Sequence, residues 1–203
     1  MISCGNHFSV FLTTDIRENK SKVLTCGNNY YGQLGLGDKL DRQIPTIVDG
    51  IENITSISAG ENHVLALDTL GQVWIWGSTY SSISQYRGGI SRHVLYIPNI
   101  LSGIDPIASI SSKHNLLLDL NGNLLQFSDD FSNIKLLLQN VQSIESSHNH
   151  IIVIDNDSRI LVVDKNLARS TWLGGFPIPQ QVAEISSNKY FVVDAESNLW
   201  YMN

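Results

Sequence analysis

The sequence predicts an all-β fold of the β-propeller type, small, partial or open, with about four to five repeat units. Three observations carry that reading. Four ten-residue boxes align without a gap: DTLGQVWIWG from Asp68, DLNGNLLQFS from Asp119, DNDSRILVVD from Asp155 and DAESNLWYMN from Asp194. Successive box Asp residues lie 51, 36 and 39 positions apart, a period suited to short strands and turns. No helical period of three or four sustains itself anywhere in the chain.

Each box reads as a β-hairpin. A short apolar run precedes every box (HVLAL, NLLL, HIIVI and YFVV), and apolar residues return at its sixth and ninth positions. The first strand ends at Asp, whose carboxylate caps the turn, and Gly71, Gly122, Ser158 or Ser197 at position four takes the positive-φ place. Four carboxylates invite a reading as paired acids, but they occupy the same turn in successive copies, and turn capping is preferred. A looser first copy, HFSVFLTTDIRENKSKVLTCG, carries a longer polar insertion. The hairpins therefore fall near 3–27, 56–77, 109–128, 143–164 and 184–203, within one repeat domain spanning 1–203. Between them, IPTIVDGIENITSIS from Ile44 and IPNILSGIDPIASIS from Ile97 match at an offset of 53. Pro45 and Pro98 cannot donate to a ladder and suit edge strands. Later connecting segments, NIKLLLQNVQSIESS and FPIPQQVAEISS, are shorter.

Composition narrows the function classes. The 203 residues are 42% apolar, enough for a packed core, and the net charge of −6 with 16% charged residues opposes direct binding to nucleic acid. Cys4 and Cys26 lack metal-type spacing; a reduced, intracellular protein, cytoplasmic before nuclear, is the simplest reading, with one disulfide as the alternative. The start MISCGNHFSVFLTTD has no basic leader, and no run reaches the length of a membrane span. A zinc site from His148 and His150 with either cysteine has no support in spacing. No Gly-x-Ser-x-Gly elbow or nucleophile–base pair is visible, so neither catalytic residues, a metal nor a cofactor is expected.

The segment NNYYGQLGLGD holds Gly32, Gly35 and Gly37 and raises the question of a phosphate loop. Such a loop needs a helix behind it and a Gly-Lys-Ser/Thr triplet; here Pro45 arrives within eight residues of Gly37 and the triplet is missing. The glycines are read as backbone bends instead. With this loop in place, Cys26–Gly77 resembles one complete repeat of the regulator of chromosome condensation family: Gly-Asn, Gly-Gln-Leu-Gly-Leu-Gly, Pro, Ala-Gly, His, Leu, Gly and Trp-Gly follow in order. The likeness is densest over 1–77, thinner over 78–128 and sparse beyond. It implies a propeller of four-stranded blades in which Gly32, Gly35, Gly37, Gly60, His63, Asp68, Gly71, Trp76, Gly77, Asp119, Gly122, Asp155 and Asp194 are structural repeat positions. The chain departs from the family where STYSSISQYRGGISR replaces the glycine motif after Gly77, and where SSKHN and SSNKY replace the Gly60–His63 pattern.

The resemblance implies a non-catalytic protein-interaction module. It also implies two alternatives: a guanine-nucleotide exchange factor for a Ran-like small GTPase, or a propeller portion of a larger regulator such as a ligase or kinase. The expected partner is a protein, a small GTPase among the candidates, with no direct nucleic acid or membrane contact and with self-association if the propeller is open. Two projecting segments are candidate contacts: Arg17, Glu18 and Lys20 in TDIRENKSK, and Tyr80, Tyr86 and Arg87 in STYSSISQYRGG. His63, His114 and His150 each lie five residues before a box Asp. The resemblance puts them on the propeller's interior side, and a ring satisfied by backbone carbonyls is preferred over a partner contact. Trp74 and Trp76 share one side of their strand, opposite Val73 and Ile75.

Overall fold

The computed structural model describes residues 1–15, 20–79, 94–146, 150–164, 170–173, 179–186, 189–194 and 199–202. Antiparallel meanders build five sheets in chain order. The first holds β1 (Ile2–Cys4), β2 (Phe8–Asp15), β3 (Lys20–Gly27) and β4 (Arg42–Ile47); the second β5 (Ile54–Ala59), β6 (His63–Asp68), β7 (Val73–Gly77) and β8 (Leu95–Ile100). The third contains β9 (Ile107–Ser111), β10 (Leu116–Asp119), β11 (Leu124–Phe127) and β12 (Ile134–Leu138), and the fourth β13 (Val141–Ser146), β14 (His150–Asp155), β15 (Ile160–Asp164) and β16 (Ser170–Leu173). Three strands complete the described fold: β17 (Pro179–Ser186), β18 (Lys189–Asp194) and β19 (Leu199–Met202).

Innermost strands touch in succession, β1 to β5, β5 to β9, β9 to β13 and β13 to β17. No comparable packing among the described elements joins the fifth sheet back to the first. The result is an open propeller. Pro45 and Pro98 lie on β4 and β8, the outermost strands of their sheets, where a missing N–H faces no ladder partner.

Alternation along each middle strand divides the apolar residues between two neighbours. Val10 and Val23 pack toward the second sheet with Ile57, Val64, Ala66 and Trp76. From the other face of that sheet, Leu65, Leu67, Val73 and Ile75 meet Ile107, Ile110, Leu117 and Phe127. Leu116, Leu118 and Leu124 then meet Ile151, Val153, Leu161 and Val163 of the fourth sheet. Each interior sheet thus supplies half of two cores, as in a face-to-face sandwich.

Polar contacts brace the inner strands. Ala59 N donates to Ser3 Oγ (2.9 Å), Ser112 N donates to Ser58 Oγ (2.9 Å), and Ser112 Oγ donates to the Ser58 carbonyl (2.6 Å). The Ser111 and Ser146 hydroxyls pair across the next junction. Register shifts at the start of β5, β9 and β13 leave Thr55, Ala108 and Gln142 as exposed bulge residues, which increase local twist where the strands turn about the axis.

Candidate partner-binding surface

Asp-headed turns close the hairpins at one end of the stack. Asp68 Oδ1 accepts from the backbone N–H of Leu70 and of Gln72, both at 2.9 Å, while Trp74 Nε1 donates to Oδ2 at 3.2 Å. Asp119 accepts from Asn121 N, Asn123 N and Asn123 Nδ2. Asp155 accepts from Asp157 N and Arg159 N, with the Arg159 guanidinium 2.7 Å from its Oδ2. Gly71, Gly122 and Ser158 have φ of 77°, 78° and 61°, the left-handed position of a three-residue hairpin loop. The turns also latch forward, because Ile107 N donates to Gly71 O and Val141 N to Gly122 O, each at 2.9 Å. These carboxylates are held by their own turns. Asp194 ends β18 opposite Pro179.

The glycine-rich loop, 28–41, joins β3 to β4 and is organised by two buried amides. Asn29 Oδ1 accepts from Leu34 N (3.0 Å), its Nδ2 donates to the Asp38 carbonyl and carboxylate (both 3.0 Å), and its N–H donates to Asp41 Oδ1 (2.8 Å). Gln33 Nε2 donates to Asn28 Oδ1 (2.9 Å), and its Oε1 accepts from Tyr31 N (2.8 Å). The Arg42 guanidinium, 2.6 Å from Asp38 Oδ2, holds that carboxyl below its ordinary range, with Leu40 N adding to the effect.

This loop spans two sheets. Thr25 Oγ1 donates to Leu34 O (2.7 Å) in the first, and Trp76 Nε1 donates to Gln33 O (3.0 Å) from the second. The N–H groups of Gly32, Gly35 and Gly37 donate to Asn29 O, Gly32 O and Tyr96 O. No donor from these three glycines remains for an anion, so the loop is a clamp between sheets rather than a phosphate cradle.

On the clamp's outer side, Tyr30, Tyr31, Lys39, Val94 and Tyr96 line a concavity of about 290 Å³. Tyr30 meets Tyr31 edge-on, with centroids 4.9 Å apart and rings at 85°. Lys39 Nζ stands 5.3 Å from the Tyr96 centroid, within cation–π range. Tyr30 is 61% exposed. A second cleft, about 350 Å³, lies at the Asp-turn end between Leu70, Gly71, Ile100, Leu101, Ile104 and Pro106.

Of the contacts expected from sequence, Lys20 is exposed at the start of β3. Arg17, Glu18, Tyr80, Tyr86 and Arg87 lie outside the described residues. The tyrosine–lysine concavity was not among the expected contacts: Tyr30 and Tyr31 stand inside the glycine-rich loop, but Tyr96 comes from another sheet. At His63 the expected backbone contact comes from Ser112 but falls short of full hydrogen-bond geometry. The ring is 3% exposed and neither nitrogen has a hydrogen-bond partner. Gly60 leaves it room, since a Cβ there would come within 2.3 Å of the imidazole. Burial pushes His63 down to about 4, and the Ser112 backbone acts in the opposite direction. Gly60 N donates to His63 O, and Gly77 pairs with His63 across β6 and β7. His114 lies in the short 3-10 turn Ser112–His114 and its carbonyl accepts from Gln126 Nε2, while His150 opens β14. Cys4 and Cys26 are free thiols.

Sheets that meander outward from a common axis and latch each to the next define a β-propeller repeat protein. One model of the regulator of chromosome condensation (RCC1) repeat matches residues 20–67 and a second matches 54–81. Human protein RCC2 is 31% identical over 130 residues, covering 62% of this chain and 23% of that protein. The secretion-regulating guanine nucleotide exchange factor of Bos taurus is 39% identical over 83 residues, covering 40% of this chain and 17% of its own. In the solved complex of Kap60 with yeast RCC1 (Prp20), the matched chain aligns with a TM-score of 0.71 at 14% identity, covering 98% of this chain and 54% of that one. The chain spans 2% to 24% of the length of the first curated relatives it matches.

Proposed function

We propose that this chain is a non-catalytic protein-interaction module whose partner docks on the Tyr30–Tyr31–Lys39–Tyr96 concavity. The observation that carries the reading is the clamp beneath it: Thr25 and Trp76 fix the loop from the two sheets, and Asn29 and Gln33 brace it from within, so the aromatic surface is ordered before binding. Pre-organised tyrosines present large contact area at little entropic cost, and Tyr is enriched among residues that dominate binding energy. A second reading, an exchange factor for a Ran-type GTPase, is supported by the likeness to a protein named as a guanine nucleotide exchange factor. Exchange needs no acid or base of the propeller's own, only a surface that competes for the nucleotide site. Either role fits a module within a longer intracellular regulator, with both thiols reduced.

The test uses a purified Ran-type GTPase as probe, carrying a fluorescent guanine nucleotide. Binding without faster nucleotide release supports the module; accelerated release supports the exchange factor. In both cases Tyr30→Ala should weaken binding by about tenfold or more and leave the unfolding midpoint in place. If Tyr30→Ala binds any captured partner as tightly as the native chain does, the concavity is not the docking surface.

A further inference from the structure

The outward face of the first sheet repeats a surface that every later interior sheet buries. Register pairs Ile2 with Phe11, Phe11 with Leu24, and Leu24 with Ile47, so these four form one apolar row across β1 to β4. Cys4, Ser9 and Cys26 form the neighbouring row on that same face. Val10, Val23 and Thr25, on the opposite face, are buried toward the second sheet. Ile2 is 68% exposed and Ile47 47%, with Phe11 and Leu24 half-buried.

The pairing Phe8–Gly27 in the first sheet corresponds to His63–Gly77 in the second. Phe11, Leu24 and Cys26 therefore stand where the second sheet has Ala66, Trp74 and Trp76. Ala66 and Trp76 are buried, as are Leu117 and Phe127 in the third sheet and Val153 and Val163 in the fourth. At each of those junctions this face receives the opposite face of the preceding sheet. The junctions have one polarity throughout. The first sheet's free face is the receiving half of that interface, and among the described elements the last sheet makes no packing on it comparable to these junctions.

We propose that this face is a self-association surface, which receives the last sheet, β17–β19, of a second copy of this chain as the next layer of the stack. The contact continues the interface that already joins the five sheets and keeps its polarity. It is heterologous, head to tail, and so leaves a receiving and a donating end on each assembly until a ring closes.

Both cysteines of the chain lie on this face, so thiol alkylation reads its coverage directly. The full chain is followed by sedimentation and by maleimide labelling across a dilution series. Average mass should rise with concentration while Cys4 labelling slows several-fold. Ile2→Asp, at a largely exposed position, and Leu24→Asp should each remain folded by circular dichroism, stay monomeric and label at the diluted rate. Because its last sheet is intact, Leu24→Asp should still bind native chain while failing to bind itself. A monomer at every concentration overturns the proposal, as does association that survives both substitutions. Cys4 protected at all dilutions means that the chain covers its own face, and failure of Leu24→Asp to bind native chain means a face-to-face dimer; each outcome rejects the head-to-tail occupant.

Discussion

Replacing Gly35 by alanine tests the clamp at its tightest point. Gly35 has φ of +71°, and an added Cβ would lie 2.8 Å from Trp76 Cδ1 and 2.9 Å from Nε1. The indole is fully buried and donates to Gln33 O at 3.0 Å, so swinging away would orphan a buried donor. Two penalties add. A non-glycine residue in the left-handed region costs about 1–2 kcal/mol, and forcing a methyl into a filled core costs about 1–3 kcal/mol. Gly35→Ala should therefore destabilise by about 2–5 kcal/mol. Gly50 supplies the comparison, since its φ is +81° but nothing lies within 4 Å of a built Cβ. Gly50→Ala should show the backbone penalty alone, about 1–2 kcal/mol. The assay is urea unfolding followed by tryptophan fluorescence and circular dichroism, comparing midpoints at unchanged slope. If the two variants lose the same stability within about 0.5 kcal/mol, the range expected of an uninvolved site, Trp76 is not wedged against Gly35 and the clamp reading fails.

Further outcomes follow from individual side chains. Asp119→Ala removes three accepted hydrogen bonds in a buried turn and should cost about 1–3 kcal/mol, read as a lowered urea midpoint; an unchanged midpoint would show that the turn holds without its carboxylate. Trp76→Ala empties much of the first core and strands Gln33 O, for about 3–5 kcal/mol in the same measurement; a loss below about 1 kcal/mol would place the first junction's stability elsewhere. His63, held at about 4 against an ordinary 6.5, takes up its proton more readily when the chain is unfolded. Its contribution is fully present above pH 6.5 and is lost as pH falls through that window toward 4, by up to about 3 kcal/mol. Stability of His63→Gln measured from pH 7 to 4 should fall less steeply than that of the native chain, and parallel curves would remove His63 as the cause.

Architecture was legible because the hairpin turns are written in residues with local chemistry. Asp followed three positions later by Gly or Ser specifies a capped turn with one left-handed residue, and Asp68–Gly71, Asp119–Gly122 and Asp155–Ser158 are built that way. The bulges at Thr55, Ala108 and Gln142 were not legible, since a register shift arises from pairing between strands and leaves no residue signature. The tight burial of His63 was hidden for a related reason: sequence names the ring but not what surrounds it, and Gly60 alone hints at a tight fit. The candidate concavity depends on Tyr96, far along the chain from Tyr30, so no local pattern could have assembled it.

Gly35 and Trp76 are coupled to each other within residues 20–81, the stretch that the repeat models match. The glycine leaves the space that the indole fills, and the indole N–H fixes the loop that carries the glycine. Neither residue has that role without the other, although they lie in different sheets. At the next junction Phe127 occupies the place of Trp76, and its ring has no N–H to donate. The sequence leading into that junction, STYSSISQYRGGISR, has lost the glycine motif as well. Loss of both halves together is what a paired constraint predicts, because a glycine loop without the indole gains nothing from its strained backbone. The later junctions keep the devices that do not need the clamp, the serine contacts and the latch from turn glycine to inner strand. The second junction thus lacks both halves of the clamp and is held by the stacking that joins each sheet to the next.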